Sequence, residues 1–301
     1  MKIAPISGFP EWLPQARIVE QKVLDTLRST FELHGFSGVE TRAVEPMDQL
    51  LRKGETSKEV YVLRRLQGEE GQDSGLGLHF DLTVPLARYV LENAGKLDFP
   101  FKRYQIQKVW RGERPQDGRF REFYQADVDV VGQDTLAFHH DIELPLVMVD
   151  ALSKLPIPRV RVRASNRKLA QGFYEAIGLE NTEETLRILD KLDKVGPGVV
   201  TELLSEHVGA SAQQAQLALS LAGITTEDAS FVDKVRALGA SSSLLDEGLE
   251  ELATLVTEAN SLIPGSVSAD LSIARGLDYY TGSVFESTVE GHEDLGSVCS
   301  G

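Results

Sequence analysis

The sequence predicts an α+β protein, in which an antiparallel β-sheet is flanked by helices and interrupted by a mainly helical inserted domain. Three stretches alternate apolar and polar residues with a period of two, which is typical of strands covered on one side. From about residue 170 to 262 the chain is instead rich in Ala, Leu, Glu and Gln with helical periodicity, and strand-like sequence returns at about residue 263. We therefore expect the sheet to resume after the insertion.

Composition limits the class of protein. The 301 residues suffice for more than one domain, and the contents of 42% hydrophobic and 26% charged residues are those of a globular chain. With 46 acidic and 31 basic residues, the net charge of −15 argues against non-specific nucleic-acid binding by the surface as a whole. No segment is apolar enough to predict a membrane span, the first 15 residues lack the pattern of a secretion signal, and the single cysteine, Cys299, permits no intramolecular disulfide. These features favour a cytoplasmic protein.

The N-terminal region predicts a helix followed by a strand. Residues 15–35 form an amphipathic pattern that ends at Gly35, and residues 36–46 are typical of a strand ended by Pro46. A further helix is predicted to begin near Asp134. Apolar residues recur every four positions in the first helix, at Val19, Val23, Leu27 and Phe31. A similar stripe in the helical insertion comprises Leu245, Leu249, Leu252 and Val256.

The alternating stretches are "GLHFDLT" at 77–83, "RYQIQKVWR" at 103–111 and "FYQADVDVV" at 123–131. Successive side chains of a strand point to opposite faces, so each stretch predicts one apolar and one polar face. The polar face is either solvated or used for directed hydrogen bonding, and its composition of Gln, Asp and Arg favours the second. The polar residues are His79, Asp81 and Thr83; Arg103, Gln105, Gln107 and Arg111; and Gln125, Asp127 and Asp129.

An arginine-rich segment lies between the last two stretches. A loop containing Pro115 and Gly118 separates two predicted strands, which indicates a hairpin. Arginine suits bidentate recognition of phosphate, so the segment either binds a nucleotide or an RNA end, or forms surface ion pairs. The chain has no P-loop and no GxGxxG motif after a strand. The arginines are Arg111, Arg114, Arg119 and Arg121.

Two further motifs need an interpretation. In "FHHDIE", His139 and His140 are adjacent on a predicted helix and should point about 100° apart, so we expect no metal ion held by protein side chains there. The segment "ARGLDYYTGSVFE" (274–286) places a cation, an aspartate and two phenols within six positions. It forms either an edge strand with a turn or a pocket for a flat, polar, partly anionic ligand.

Three segments, taken in order, resemble the histidyl-tRNA synthetases, which are class II aminoacyl-tRNA synthetases. They are "FDLTVPLARYV" (80–90), "KVWRGERPQDGRFREFYQADVDVVG" (108–132) and "ARGLDYYTGSVFE", with the helical insertion before the third. The resemblance covers essentially the whole chain. It implies a class II catalytic domain at residues 1–169 and 263–301, a helical insertion domain at 170–262, and a homodimer formed through the N-terminal helix, strand and Pro46.

The resemblance also implies an activity. The family activates L-histidine with ATP and Mg²⁺ to histidyl-adenylate, and then transfers the histidyl group to tRNA(His). By similarity, Arg111 binds the α-phosphate, Arg275 bridges that phosphate and the histidine carboxylate, and Glu113 meets the adenine amino group. Arg119 or Arg121 is expected at the distal phosphates. The acceptor stem of the tRNA is expected at Arg114, Gln116 and Arg119.

The histidine pocket is likewise implied by similarity. Asp129 and Tyr280 would hold the imidazole, and Tyr279 would help to shape the pocket. A site that satisfies the polar atoms of a ligand rejects analogues lacking them, by about 10⁴-fold in good cases. The α-ammonium group would be bound by Asp81, Thr83 and Gln125.

The chain also departs from the family. It ends at "GSVCSG", before the third class II motif and the anticodon-binding domain, so we interpret it as a C-terminally truncated synthetase whose independent activity is not expected. The alternative is a non-catalytic, synthetase-like regulatory subunit of histidine biosynthesis, which also lacks an anticodon domain. Every substrate-contact position that the chain covers is present, and this favours the ligase.

Overall fold

The computed structural model describes residues 4–51, 59–67, 75–115, 118–274 and 280–301. The chain divides into a first unit, Met1–His140 with Asp150–Leu155, and a second unit, Asp141–Val149 with Pro156–Gly301. The predicted domain limits at residues 169 and 262 stay a prediction.

From residue 4 to residue 155 the elements are short strands and longer helices around one hairpin. They are α1 (Pro14–Leu33), β1 (Ser37–Gly38), β2 (Val44–Pro46), α2 (Met47–Leu50), β3 (Val62–Leu63), β4 (Leu76–Leu78), α3 (Thr83–Asn93), β5 (Phe101–Trp110), β6 (Glu122–Val131) and α4 (His139–Ser153). One sheet has the order β1-β5-β6, and another has the order β2-β4-β3.

Helix α1 confirms the first predicted element. Its first residue is Pro14, whose missing N–H is not needed in the first turn of a helix. After its end, Gly35 has φ +79°, a left-handed conformation that glycine adopts without strain. Phe31 is buried, but Val19 is 58% exposed, so the apolar stripe is covered only towards the C-terminal end of the helix.

The strand predicted at residues 36–46 is wrong as a single element. Strand β1 pairs with β5 in a parallel orientation, whereas β2 pairs with β4 in the other sheet. Between them the backbone of Thr41 is satisfied by a side-chain amide: its N–H donates to Oε1 of Gln107 at 3.3 Å, and its carbonyl accepts from Nε2 at 2.8 Å. The chain therefore passes from one sheet to another with its polar backbone groups paired.

The strand predicted at residues 77–83 is also wrong beyond Leu78. Strand β4 ends there, and helix α3 begins at Thr83. Oδ1 of Asp81 accepts a hydrogen bond from the N–H of Val84 at 3.3 Å, which satisfies a backbone donor of the first helical turn. Alternation misled here because both sets of side chains are buried: the exposed fractions are 0% for His79, 4% for Phe80, 4% for Asp81 and 0% for Leu82.

The predicted hairpin is confirmed. Strands β5 and β6 pair antiparallel from Phe101 with Val131 to Trp110 with Glu122. On β5 the face predicted as polar is not solvated, because Arg103 and Gln105 are 0% exposed. Nε2 of Gln105 donates to Oγ1 of Thr41 at 2.9 Å, so the directed hydrogen bonding expected of this face is present. The register places Arg103 opposite Asp129, Gln105 opposite Asp127 and Gln107 opposite Gln125.

The helix predicted near Asp134 begins later, at His139. Asp134 has φ +65°, and Gln133 bridges Thr135, so a tight turn rather than a helix follows β6. Asp and Asn enter this left-handed region more readily than most residues, because their short side chains bond locally.

From residue 156 onwards helices predominate. The elements are β7 (Val160–Asn166), α5 (Arg167–Ala176), α6 (Thr182–Leu189), α7 (Leu192–Val208), α8 (Ala212–Ala222), β8 (Thr225–Thr226), α9 (Phe231–Arg236), α10 (Ser243–Leu262), β9 (Val267–Asp270), β10 (Ser283–Val289) and β11 (Cys299–Ser300). The sheet order is β11-β10-β7-β9-β8. Strand β7 precedes the helices and pairs with both β9 and β10, which follow them, so a sheet does resume after the helical segment. It is not the sheet of the alternating stretches, as predicted, because β5 and β6 pair with β1 and with each other in a separate sheet. The predicted stripe of α10 is buried.

Two glycines allow α5 and α10 to pack closely. A Cβ atom added to Gly172 would lie 2.3 Å from the backbone N of Leu245, and one added to Gly248 would lie 2.2 Å from the backbone N of Leu169. These neighbours are backbone atoms, which cannot yield by rotating a side chain. Close contact between the two helices therefore requires glycine at both positions.

We expect Gly248→Ala to lower the free energy of unfolding of the chain by about 3 kcal/mol, because the helices must separate to admit the methyl group. The measurement is urea unfolding followed by circular dichroism. Gly198→Ala in α7 is the matched control: nothing lies within 4 Å of its added Cβ, so it should leave stability unchanged or raise it by up to about 1 kcal/mol. Equal effects of the two substitutions would contradict the close-packing argument.

Candidate active site

Polar side chains from three segments of the first unit meet beside the β5–β6 hairpin. Alternate residues of β6 point to one face, Arg103 lies on the neighbouring strand β5, and the bend before α3 supplies an aspartate. We call this set the polar cluster: Asp81, Arg103, Arg111, Gln125, Asp127 and Asp129.

Arg111, the residue after β5, is fixed in orientation by two hydrogen bonds. Its Nε donates to the carbonyl oxygen of Phe80 at 3.0 Å, and its Nη2 donates to Oε1 of Gln125 at 3.0 Å. The guanidinium carbon also lies 5.2 Å from the centre of the Phe123 ring. The cation is thus half-buried, and its orientation is set before any ligand binds.

The amide of Gln125 has only one chemically consistent orientation. Its Nε2 donates to both carboxylate oxygens of Asp127, at 3.1 and 3.0 Å, while Oε1 accepts from Arg111. An ionised carboxylate can only accept hydrogen bonds and a guanidinium can only donate them. The amide between them must therefore direct its nitrogen to Asp127 and its oxygen to Arg111.

Arg103 is the buried cation of the polar cluster. Its side chain is 0% exposed, and Nη2 lies 2.7 Å from Oδ2 of Asp129 and 3.9 Å from Oδ2 of Asp127. The exposed fractions of the two aspartate side chains are 33% and 20%, respectively. A buried guanidinium is tolerated only with carboxylate partners, which β6 supplies here. Solvent therefore reaches the carboxylates but not the arginine between the strands.

The carboxyl group of Asp127 is destabilised in its ionised form. Burial raises its pKa from 3.8 to about 6, and the charges of Asp129 and Asp81 act in the same direction. Arg103 and the amide of Gln125 oppose the shift. At neutral pH the group is ionised, at a cost in folding free energy that the neighbouring cation reduces.

A buried histidine holds the bend that contains Asp81. Nε2 of His79 lies 2.7 Å from the carbonyl oxygen of Lys108, and the carbonyl of His79 accepts from the N–H of Trp110 at 3.1 Å. Burial lowers the pKa of His79, so the ring is neutral and donates through Nε2. These bonds attach the bend to the end of β5.

The base of the hairpin loop is held by hydrogen bonds to three backbone carbonyl oxygens. The N–H of Arg121 donates to the carbonyl of Gly8 at 2.7 Å, and Nε of Arg121 donates to the carbonyl of Glu113 at 3.0 Å. The N–H of Gly112 donates to the carbonyl of Glu59 at 2.8 Å. Burial and the charge of Glu113 raise the pKa of Glu59. Further along the loop, the side chains of Arg114 and Arg119 are exposed.

Apart from the residues of the hairpin loop described above (Glu113, Arg114, Arg119 and Arg121), the predicted site residues divide into three groups. The structure brings Asp81, Arg111, Gln125 and Asp129 into the polar cluster, with Thr83 two residues from Asp81 and half-buried at the start of α3. Tyr280 lies in the second unit and is half-buried. Gln116, Arg275 and Tyr279 lie outside the described residues.

Sequence reasoning missed two members of the polar cluster. Arg103 and Asp127 were placed on the polar faces of their strands but were given no role. The signal that could have found them is the antiparallel register, which puts Arg103 directly opposite Asp129 and leaves Asp127 one polar position away.

Among the described residues, the side chains alone form no metal centre. The rings of His139 and His140 lie 4.0 Å apart rather than pointing away from each other as expected. Even so, within the described ranges no group of three or more His, Cys, Asp or Glu residues could hold a metal ion. No helix in the part of the chain that is described has the length and apolar character that crossing a bilayer requires.

We expect Asp127→Asn to stabilise the folded chain increasingly as the pH rises from about 4 to 6. Because the folded chain raises the pKa of Asp127 from 3.8 to about 6, the unfolded chain ionises first and the wild type loses stability in this range. The free energy of unfolding of the variant minus that of the wild type should be larger above pH 6 than at pH 4, by on the order of 3 kcal/mol. Urea unfolding of both proteins at several pH values measures this. Asp98→Asn, at an exposed aspartate, is the control and should follow the wild type. A difference that does not change with pH would contradict the assignment.

Comparison with known proteins identifies the family. The sequence model described as histidyl-tRNA synthetase matches residues 8–299. The chain is 60% identical to the histidine–tRNA ligase of Micrococcus luteus over 310 residues, covering 99% of this chain and 68% of that protein. It is 58% identical to the histidine–tRNA ligase of Bifidobacterium animalis subsp. lactis, covering 100% of this chain and 68% of that protein.

Solved structures give the same architecture. Histidyl-tRNA synthetase from Nostoc sp. PCC 7120 superposes with a TM-score of 0.88 at 35% identity, covering 100% of this chain and 68% of that one. An ATP phosphoribosyltransferase regulatory subunit/histidyl-tRNA synthetase from Bacillus halodurans C has a TM-score of 0.82 at 20% identity, covering 97% and 74%, and shares the fold. The predicted class II synthetase-type fold is confirmed. The chain belongs to the histidyl-tRNA synthetase family.

Proposed function

We infer that this chain provides the histidine-activating site of a histidine–tRNA ligase. In the reaction the carboxylate of L-histidine attacks the α-phosphate of ATP, pyrophosphate leaves, and the histidyl group is then transferred to tRNA(His). The observation that carries this inference is the polar cluster, in which solvent-accessible carboxylates and a preset guanidinium share one network of hydrogen bonds and ion pairs. The relatives at 60% and 58% identity are histidine–tRNA ligases, which supports the same conclusion.

The amino group of the substrate fits the acceptors around the bend. We propose that Asp81, Thr83 and Gln125 bind the α-ammonium. The carbonyl oxygen of an amide has two lone pairs, so Oε1 of Gln125 can accept from the substrate while it accepts from Arg111. Asp81 provides a carboxylate charge for the cation, and its position is fixed by the bond from Val84.

The imidazole fits Asp129. A carboxylate can accept about four hydrogen bonds, so Asp129 can receive a ring N–H while it remains paired with Arg103. Tyr280 is proposed as the second imidazole contact, and Tyr279 as a wall of the pocket. A substrate that lacks the ring N–H would leave a carboxylate desolvated without a partner, which is the physical source of discrimination.

The nucleotide fits the arginines. Arg111 is proposed to bind the α-phosphate, together with Arg275, and Glu113 to meet the adenine amino group. Negative charge grows on the phosphate oxygens in the transition state, and a guanidinium that is already oriented stabilises it without reorganisation. Arg119 is the more accessible candidate for the distal phosphates, because Nε of Arg121 is engaged with the carbonyl of Glu113. Magnesium would arrive on ATP as part of the nucleotide substrate.

Two further surfaces suit macromolecular partners. We propose that Arg114, Gln116 and Arg119 meet the acceptor stem of tRNA, since Arg114 and Arg119 are exposed cations on a chain with a net charge of −15. We also propose a homodimer formed through the start of α1, in a cytoplasmic protein. The support for the dimer is a set of exposed apolar side chains, since such patches mark protein interfaces. Their exposed fractions are 46% for Trp12, 74% for Leu13, 58% for Ile18 and 58% for Val19.

Histidine-dependent exchange of pyrophosphate into ATP tests the proposed activity. We expect exchange by the full-length gene product, and a fall of roughly 10²–10³-fold in its rate for Arg111→Ala, because a cation that is already oriented at the phosphate is lost. Arg65→Ala, at an exposed arginine, is the control and should leave the rate unchanged. Histidine binding without exchange would favour a regulatory subunit instead, and absence of histidine binding would contradict both functions.

Salt dependence tests the tRNA surface. We expect Arg114→Ala combined with Arg119→Ala to weaken binding of tRNA and to reduce the slope of log affinity against log salt by about 1.5–2, one phosphate contact being lost per arginine. Fluorescence anisotropy with labelled tRNA at several salt concentrations measures this. The combination of Arg64→Ala and Arg65→Ala removes the same charge elsewhere and should change the slope less. Equal slopes for all three proteins would remove the support for this surface.

A further inference from the structure

Two residues of the polar cluster have no proposed contact with substrate, yet they connect the residues that do. Asp129 pairs with Arg103, Arg103 faces Asp127, Asp127 accepts from Gln125, and Gln125 accepts from Arg111. The connection runs from the carboxylate proposed to hold the imidazole to the guanidinium proposed to bind the phosphate. We propose that Arg103 and Asp127 are positioning residues, which hold Asp129 and Gln125 in the orientations that bind histidine. The inference rests on the proposed function.

Asp127 acts through the amide of Gln125. Rotating that amide by 180° would place its NH₂ against the guanidinium of Arg111 and its oxygen against the carboxylate of Asp127. Two donors would then face each other at one end and two acceptors at the other. With Asp127 replaced by an apolar residue, only the hydrogen bond from Arg111 is left to orient the amide, so the acceptor proposed to face the α-ammonium is held less firmly. The two distances of 3.1 and 3.0 Å show that both oxygens of Asp127 contribute to the constraint.

Arg103 acts through Asp129. It is 0% exposed, whereas the Asp129 side chain is 33% exposed, so a ligand can reach the carboxylate and not the guanidinium. The cross-strand register puts the two residues directly opposite each other, and the 2.7 Å contact fixes one oxygen of the carboxylate. Lysine should not reproduce this, because an ammonium group is more strongly hydrated than a guanidinium and is therefore costlier to bury beside Asp129.

Charge balance gives Arg103 a second effect. The carboxylates of Asp81, Asp127 and Asp129 interact electrostatically, and Arg103 is the cation that lowers the energy of the ionised form of Asp127. Without this cation, Asp127 would retain its proton to higher pH. A protonated Asp127 would accept less well from Nε2 of Gln125, so loss of Arg103 should make histidine binding depend more steeply on pH.

Histidine binding, measured by calorimetry on folded protein, tests the inference. At pH 8 we expect Asp127→Leu to weaken binding at least 10-fold, and Asp127→Asn, which retains an acceptor for Gln125, to recover a large part of the loss. Asp98→Asn makes the same change at an exposed aspartate and should bind as the wild type does. A purely structural role would lower stability and leave the affinity of the folded variants unchanged.

Variants of Arg103 test the positioning role proposed for that residue. Arg103→Lys should weaken binding at least 5-fold. Between pH 8 and pH 6, the Arg103→Gln variant should lose more affinity for histidine than the wild type does. The change seen for the wild type accounts for the titration of the ligand histidine itself. If Asp127→Leu does not fold, Arg103→Lys decides alone, and an affinity within twofold of the wild type overturns the inference. Failure of the wild-type chain to bind histidine would overturn the proposed function instead, so the two failures are distinguishable.

Discussion

The contact on which the site depends is the ion pair between the buried guanidinium of Arg103 and the carboxylate of Asp129, across the β5–β6 hairpin. A desolvated cation is costly, and it is stable here because β6 places two aspartates at alternate positions on the same face. The same alternation brings Gln125 next to Asp127, and Gln125 in turn meets Arg111. The register of one strand pair thus determines where four of the polar groups lie.

Electrostatic repulsion in this arrangement lowers the stability of the folded chain. The ionised form of Asp127 is disfavoured by burial and by the carboxylates near it, so the folded chain is less stable at neutral pH than it would be with a neutral side chain there. Costs of this kind are typical of binding sites, where groups are held in place for a ligand rather than for the fold. A positively charged amino group entering such a site would offset part of the repulsion among the carboxylates.

The sequence predicted the hairpin, the helical segment and α1 because each depends on a local period that burial then enforces. It also placed Asp81, Gln125 and Asp129 correctly among polar neighbours. It failed where tertiary context decides: the alternation at residues 77–83 is a bend and a helix start, since Asp81 bonds to the backbone of the first turn of α3. It also gave no sign that Gly248 allows two helices to touch, because that depends on the backbone of Leu169, distant in sequence.

Fold alone does not decide what this family member does. A protein from Bacillus halodurans, named as a regulatory subunit as well as a synthetase, shares the architecture at 20% identity. A regulator needs the fold and a ligand pocket, but it does not need a guanidinium oriented towards a reacting phosphate. In this chain Arg111 receives its orientation from Phe80 and Gln125, and Gln125 receives its own from Asp127. Because the residues proposed for the amino-acid pocket and the arginine proposed for the α-phosphate share one network, we expect binding of histidine and activation by ATP to be physically linked, as a ligase requires.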